Sequence, residues 1–204
     1  KELLKCLVEK DGWAFNSMYI ITFGGFIGLA NFLPTFFHDQ FGVTKIQAGQ
    51  LTMLATIMGS GVRVVGGYIS DRWGGLNTLT FVYLAVIVAM VGISFELSLT
   101  LTTIMFMVVF GLLGMGNGAV FQLVPLRWPT TTAVTGSMIG EIGALGGGFI
   151  PNAMGLSKQY TGHFQLGFIA FAIFAALVFF GMKREEKIWE KKWMEKGGKA
   201  KVHR

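Results

Sequence analysis

Arg63 is the residue whose type and position first ask for a chemical explanation. It lies in an apolar run, 46–69, with Thr52, Thr56, Gly59 and Gly66, and the five follow one another at spacings of four, three, four and three. On an α-helix those spacings put all five on one face. A face of small and polar residues turns toward another helix or a water-filled cavity rather than toward lipid. Arg63 stands about 9 Å inside the nearer end of the run, at roughly 1.5 Å per residue. A guanidinium at that depth is costly. A planar fork that never loses its proton suits a small oxyanion. The competing reading is a long side chain that snorkels back to the interface, and the polar face argues against it.

Glu141 is the second charge inside an apolar run (133–155), about 12 Å deep by the same rise. The similar depths favour a pair between Arg63 and Glu141. Carriage of a coupling proton, or a pair with an arginine outside this chain, are the other readings of Glu141. Tyr19 and Phe23 lie one helical turn apart. Aromatics at that spacing commonly pack, and beside an arginine site they would clamp a flat anion, with the Tyr hydroxyl donating a hydrogen bond. The histidines His38, His163 and His203 fall at helix ends or in the tail, and no Ser–His or HExxH arrangement is present. A membrane-embedded enzyme is therefore disfavoured. The one cysteine, Cys6, excludes an internal disulfide framework and a multi-cysteine metal site. No metal or cofactor is expected.

The elements that must hold these residues follow from composition. Of 204 residues, 52% are hydrophobic and only 14% charged, against about a quarter charged in a soluble domain. Six apolar runs reach the length of about 20 residues that a bilayer requires: 14–37, 46–69, 77–95, 101–122, 133–155 and 164–182. The expected fold class is thus all-α, a polytopic membrane protein of six transmembrane helices. Residues 1–13 form an N-terminal segment, 14–182 the bundle and 183–204 a basic tail. Lys and Arg in short loops stay on the cytoplasmic side. Lys1, Lys5, Lys10, Arg72, Arg127 and the tail fall on one side, and only Lys45 and Lys158 on the other. Both termini are therefore expected in the cytoplasm, in a cell (inner or plasma) membrane. The tail supplies most of the +6 net charge. It follows an apolar helix directly and mixes Glu with Lys, which favours anionic membrane lipid over nucleic acid as its partner. A chain beginning with Lys suggests a fragment or a processed product.

Glycines mark further helix faces. Gly136, Gly140, Gly143 and Gly147 recur at steps of three or four in the fifth run. Gly111, Gly114 and Gly118 do so in the fourth, around Asn117. Each glycine costs about 1 kcal/mol of helix stability relative to alanine in water, so the stripes imply close packing, flexing or backbone access.

The stretch GYISDRWG, with Gly67, Asp71, Arg72 and Gly74, resembles the loop motif of the major facilitator superfamily between its second and third helices. The basic pair that ordinarily follows is replaced by Gly75 and Leu76. That degeneracy is similar to the second half of such transporters. MYIITFGGFIG, GSGVRVVGGYISDRWGG, GNGAVFQLVP and GEIGALGGGFIPN together resemble the nitrate/nitrite porter family of that superfamily. The resemblance covers about residues 14–182. It implies the C-terminal six-helix half of a carrier, itself a three-plus-three inverted repeat, with nitrate or nitrite bound between the halves by one arginine from each. Arg63 would be the arginine of this half, and Tyr19 and Phe23 the aromatic pair beside the anion. Asn117, Gly143, Gly146 and Gly147 would line the path, and Asp71 and Arg72 would pair in the gating loop. The implied function is alternating-access transport in nitrate assimilation, by nitrate/nitrite antiport or proton coupling, with the N-terminal half as partner. A carrier of another small anion, or a non-transporting anion sensor, are the alternatives.

Overall fold

The computed structural model describes residues 4–201, and His203 lies outside them. They are helical almost throughout. The only β pairing among the described residues is one bridge, Glu195 with Lys199. A short helix α1 (Lys5–Val8) precedes α2 (Lys10–Tyr19), a π-helical turn (Ile20–Gly24) and α3 (Gly25–Phe41). The last three are continuous and form a first span of 32 residues, Lys10–Phe41. Helix α4 (Lys45–Trp73) follows, opened by a capping box in which Thr44 and Gln47 satisfy each other's backbone N–H. Then come α5 (Gly75–Ile93), α6 (Leu99–Arg127), α7 (Thr132–Ala144), α8 (Gly146–Thr161) and α9 (Gln165–Lys192). Helices α7 and α8 together make one span interrupted at Leu145.

Among the described residues five helices are long and apolar enough to cross a membrane: Lys10–Phe41, Gly75–Ile93, Leu99–Arg127, Thr132–Thr161 and Gln165–Lys192. Six were expected. The expected span missing from these five is the second, α4, whose 29 residues suffice in length. It falls short in hydropathy because it carries Arg63 and the polar stripe around it. A second difference lies at the tail, where α9 runs unbroken through the expected boundary at 182 to Lys192.

The two longest helices, α4 and α6, form the most extensive contact in the bundle. Their glycine faces explain it. A Cβ at Gly59 would stand 2.6 Å from the Phe110 carbonyl oxygen, and one at Gly118 would stand 2.6 Å from the carbonyl oxygen of Arg63. Backbone meets backbone along this seam, as small residues allow in lipid. Helix α5 packs between α6 and α9, and α3 against α4 and α8.

Polar contacts tie the start of α2 and the residue before it, the end of α6 and the end of α9 together at one end of the bundle. Arg127 donates to Glu9 and to Asp11, at 2.6 Å each. The Trp189 indole donates to Asp11 at 2.9 Å, and Lys10 pairs with Glu185 at 2.6 Å. The chain after α9 folds back onto the start of α5. The Gly197 carbonyl accepts from the N–H groups of Leu76 and Asn77 at 3.0 and 3.1 Å, and the Gly198 carbonyl from Gly75 at 3.4 Å. These acceptors cap a helix N-terminus whose first N–H groups otherwise lack partners. The contact needs positive φ at Gly74, Gly197 and Gly198, at 101°, 76° and 86°. At the same end the Cys6 thiol is buried, 3.5 Å from the Met138 sulfur. Burial pushes its pKa up. The opposite end is closed by a cluster of rings including Phe32, Phe36, Phe106, Phe164 and Phe168.

Candidate functional site

Arg63 projects from the polar face of α4 and is exposed in this chain. One of its terminal nitrogens, Nη2, donates to the Tyr19 hydroxyl at 3.2 Å. Its guanidinium carbon stands 5.8 Å from the ring centre of Phe23 and 5.9 Å from that of Phe121. Both distances fall within the reach of a cation–π attraction. Tyr19 and Phe23 are stacked, with ring centres 5.0 Å apart and planes 14° from parallel. Phe121 meets Tyr19 edge to face at 5.1 Å and 71°. Three rings therefore lie beside the fork. A guanidinium has five N–H donors, and Tyr19 takes one of them. The Tyr19 oxygen accepts from Arg63, so its own O–H is left to donate elsewhere. The arrangement is a fixed positive fork with one hydroxyl beside it, opening outward from apolar walls.

Local backbone explains the stacking. Tyr19 immediately precedes a π-helical turn and Phe23 lies within it; such turns are often found at functional positions. Opposite it lies the interruption of the α7–α8 span at Leu145. A Cβ on Gly24 would stand 2.6 Å from the carbonyl oxygen of Gly143, and one on Gly146 2.9 Å from that of Ile20. The glycines of GALGGG thus bring two irregular backbone segments into direct contact.

The expected site residues divide into groups. Tyr19, Phe23 and Arg63 come together. Gly143 joins them at the edge, its position lying against the Tyr19 ring. Gly146 and Gly147 lie further along, packed against Gly24 and Ile27. Asn117 is buried on α6, one turn before Phe121, and its Oδ1 has no hydrogen-bond partner. The expected pair of Arg63 with Glu141 does not form. Arg63 turns to Tyr19, and Glu141 is exposed on the face of α7 away from buried Gly143. Similar depth along two helices did not imply that the two side chains face each other. In the loop motif, Gly67 sits within α4, while Asp71 and Arg72 are exposed in its last turn. The Arg72 guanidinium lies over the Tyr68 ring at 4.5 Å, so its neighbour within this chain is an aromatic face and not Asp71. Gly74 ends α4 through its N–H, which donates to Ser70 at 2.8 Å.

Two residues of this region were not singled out from sequence. Phe121 is one of 19 phenylalanines; its place one turn after Asn117, on a glycine-lined helix, was the available signal. Asn16, one turn before Tyr19, is fully buried with both amide atoms unpartnered.

The model of the Major Facilitator Superfamily matches residues 5–151. A probable nitrate/nitrite antiporter of Thermus thermophilus is 30% identical over 201 residues, covering 89% of this chain and 45% of its own length. A nitrite extrusion protein of Bacillus subtilis is 31% identical, covering 78% of this chain and 40% of its own length. A probable nitrate transporter of Staphylococcus epidermidis is 29% identical, covering 83% and 45%. The chain spans less than half the length of these relatives.

Proposed function

This chain belongs to the Major Facilitator Superfamily and matches its nitrate/nitrite porters, a family of membrane transporters and not of enzymes, and on that premise we propose that it forms the C-terminal half of a carrier moving nitrate or nitrite by alternating access. In this reading α4 is the second of six spans, the two sets of three spans are related as an inverted repeat, and both termini are cytoplasmic. The other half, with its own arginine, covers the open side of Arg63. The two halves rock about a shared midplane site.

The observation that carries the proposal is the Arg63 fork, held at 3.2 Å by the Tyr19 hydroxyl and flanked by the rings of Phe23 and Phe121. A planar oxyanion can accept two N–H bonds from such a fork. Its negative charge offsets the cost of holding an arginine within the membrane. Apolar walls exclude water and favour a small, weakly hydrated anion over a bulky hydrated one. In this reading Gly143, packed against the Tyr19 ring, and Asn117, one turn before Phe121 on α6, line the path. Glu141 points away from Arg63, which favours a contact outside this chain over a structural pair within it.

Uptake of labelled nitrate into proteoliposomes tests the reading, using this chain together with its proposed N-terminal half. The expected result is saturable uptake, competed by nitrite and not by a lactate-like organic anion. Uptake that nitrite does not compete, or that the organic anion does, would replace nitrate with another anion as the substrate.

A further inference from the structure

We infer that the seam between α2 and α9 binds one anionic phospholipid, with its headgroup at Lys10 and Arg184 and an acyl chain running toward the interruption of α7–α8. This goes beyond the transport reading and uses no residue of the anion site. Trp13, Ser17 and Ile20 follow one another at steps of four and three, so they share one face. Tyr19 lies two residues beyond Ser17, about 200° around the helix and so on its other side. Helix α9 packs on α2, α5 and α8. Two cavities follow each other along the seam. The first, of about 410 Å³, has Trp13 and Ser17 on one wall and Leu177 and Val178 on the other, with Lys10 and Arg184 beside them. The second, of about 320 Å³, begins one turn on from Ser17 and one turn before Leu177, at Ile20 and Phe174, and reaches Gly146 and Phe149.

The chemistry differs between the two ends of the seam, as it does along a lipid. Arg184 is exposed and forms no ion pair among the described residues. Lys10 gives one of its three N–H donors to Glu185 at 2.6 Å, with its side chain 71% exposed. Two cations against one carboxylate leave a positive charge for a phosphodiester. The exposed Trp13 ring beside them is fixed by its indole N–H, which donates to the Leu7 carbonyl at 2.9 Å. Such rings favour the headgroup level of a membrane. The second cavity is walled by Ile20, Phe149, Phe171 and Phe174. Apolar walls give water few hydrogen-bond partners, so hydrocarbon is the filling they favour. From Arg184 to Phe171 the helix rises about 20 Å at 1.5 Å per residue. The hydrocarbon and headgroup layers of one leaflet together measure about 20 Å. An acyl chain from a headgroup at Arg184 therefore ends beside Ile20 and Gly146, where the π-helical turn meets the interruption at Leu145.

Native mass spectrometry of the detergent-purified assembly that contains this chain tests the inference, with palmitoyl-oleoyl phosphatidylglycerol and palmitoyl-oleoyl phosphatidylcholine added at equal concentration. The two lipids share their chains and differ in net headgroup charge. One phosphatidylglycerol, retained in preference to phosphatidylcholine, is expected. Arg184→Gln should lower that preference roughly fivefold, the scale of one cation near an anionic headgroup. Lys45→Gln removes a charge at the start of α4, at the other end of the bundle, and should leave the preference unchanged. Ala170→Phe puts a ring into the second cavity. It should weaken retention of both lipids by about fourfold or more, the scale of each methylene kept out, with the preference unchanged. Equal retention of the two lipids by the unaltered protein overturns the headgroup site. So does a preference that Arg184→Gln leaves unchanged, or that Lys45→Gln lowers as much. Unchanged retention in Ala170→Phe overturns the acyl site. If Ala170→Phe does not fold, the exposed Arg184→Gln still decides. A lipid-free mass for the unaltered protein overturns the inference outright, and a lipid-free mass of twice the assembly assigns the seam to a second copy instead. None of these outcomes depends on nitrate uptake, so failure here and failure of the transport reading are separate results.

Discussion

Replacing Tyr19 by Phe removes one oxygen and leaves the ring. The stack on Phe23 at 5.0 Å and the edge contact with Phe121 at 5.1 Å do not involve the hydroxyl, so the aromatic walls should persist. What disappears is the acceptor 3.2 Å from Arg63 Nη2 and the O–H it holds ready for a ligand. A hydrogen bond to a charged group contributes about 1.5–3 kcal/mol when buried. Tyr19 is buried but Arg63 is exposed in this chain, so water replaces part of the loss. About 1 kcal/mol is the reasonable scale, which is about a fivefold change in affinity. The assay is the concentration dependence of nitrate uptake in proteoliposomes. KM should rise about fivefold with little change in maximal velocity. An unchanged KM would refute the claim that the hydroxyl orders the fork or meets the anion. A complete loss of transport, equal to that of Arg63→Ala, would refute the division of labour between the two residues.

Other consequences follow from the packing. Gly114→Ala places a methyl group against the backbone of Gly59, so α4 and α6 must separate; overpacking of this kind costs about 1–3 kcal/mol, and a lower unfolding temperature in detergent is expected, with no shift counting against the close helix contact. Truncation after Lys192 removes the carbonyls of Gly197 and Gly198 from the N–H groups of Gly75, Leu76 and Asn77. The first turn of α5 should then exchange amide hydrogens faster, and unchanged protection would show that the returning chain does not cap it. The Cys6 thiol is buried and its pKa is raised by that burial; less thiolate is present near neutral pH than for a free cysteine, so maleimide labelling of the folded protein should be slow and should accelerate on unfolding. Rapid labelling of the native state would contradict the packing of Cys6 against Met138.

Arg63 was legible in the sequence because its neighbours at three- and four-residue spacings are small and polar, and helical geometry converts such spacing directly into a face. The meeting of Arg63 with Tyr19 and Phe23 entered through family resemblance; spacing alone left the aromatic pair as ordinary packing. The π-helical turn that holds Phe23 was not legible, because the interruption of α7–α8 at Leu145 that packs against it is a tertiary contact that no local pattern encodes. Glu141 shows the same limit. Depth along a helix follows from residue count, but the direction a side chain faces depends on how the helix is rotated in the bundle, and α7 buries Gly136, Ile139 and Gly143 instead. The fold-back of residues 193–199 escaped notice because a run rich in Lys and Glu reads as solvated. Its structure rests on the paired glycines Gly197 and Gly198 and on unpaired N–H groups more than a hundred residues earlier in the chain.

The central claim is that Arg63 is the anion-binding group of this half. Labelled nitrate uptake by the reconstituted carrier, measured side by side for the unaltered protein, Arg63→Lys and Arg63→Ala, tests it most directly. Saturable uptake should vanish in Arg63→Ala and survive only weakly in Arg63→Lys, which keeps the charge and loses the planar fork. Saturable uptake in Arg63→Ala with unchanged KM would contradict the claim.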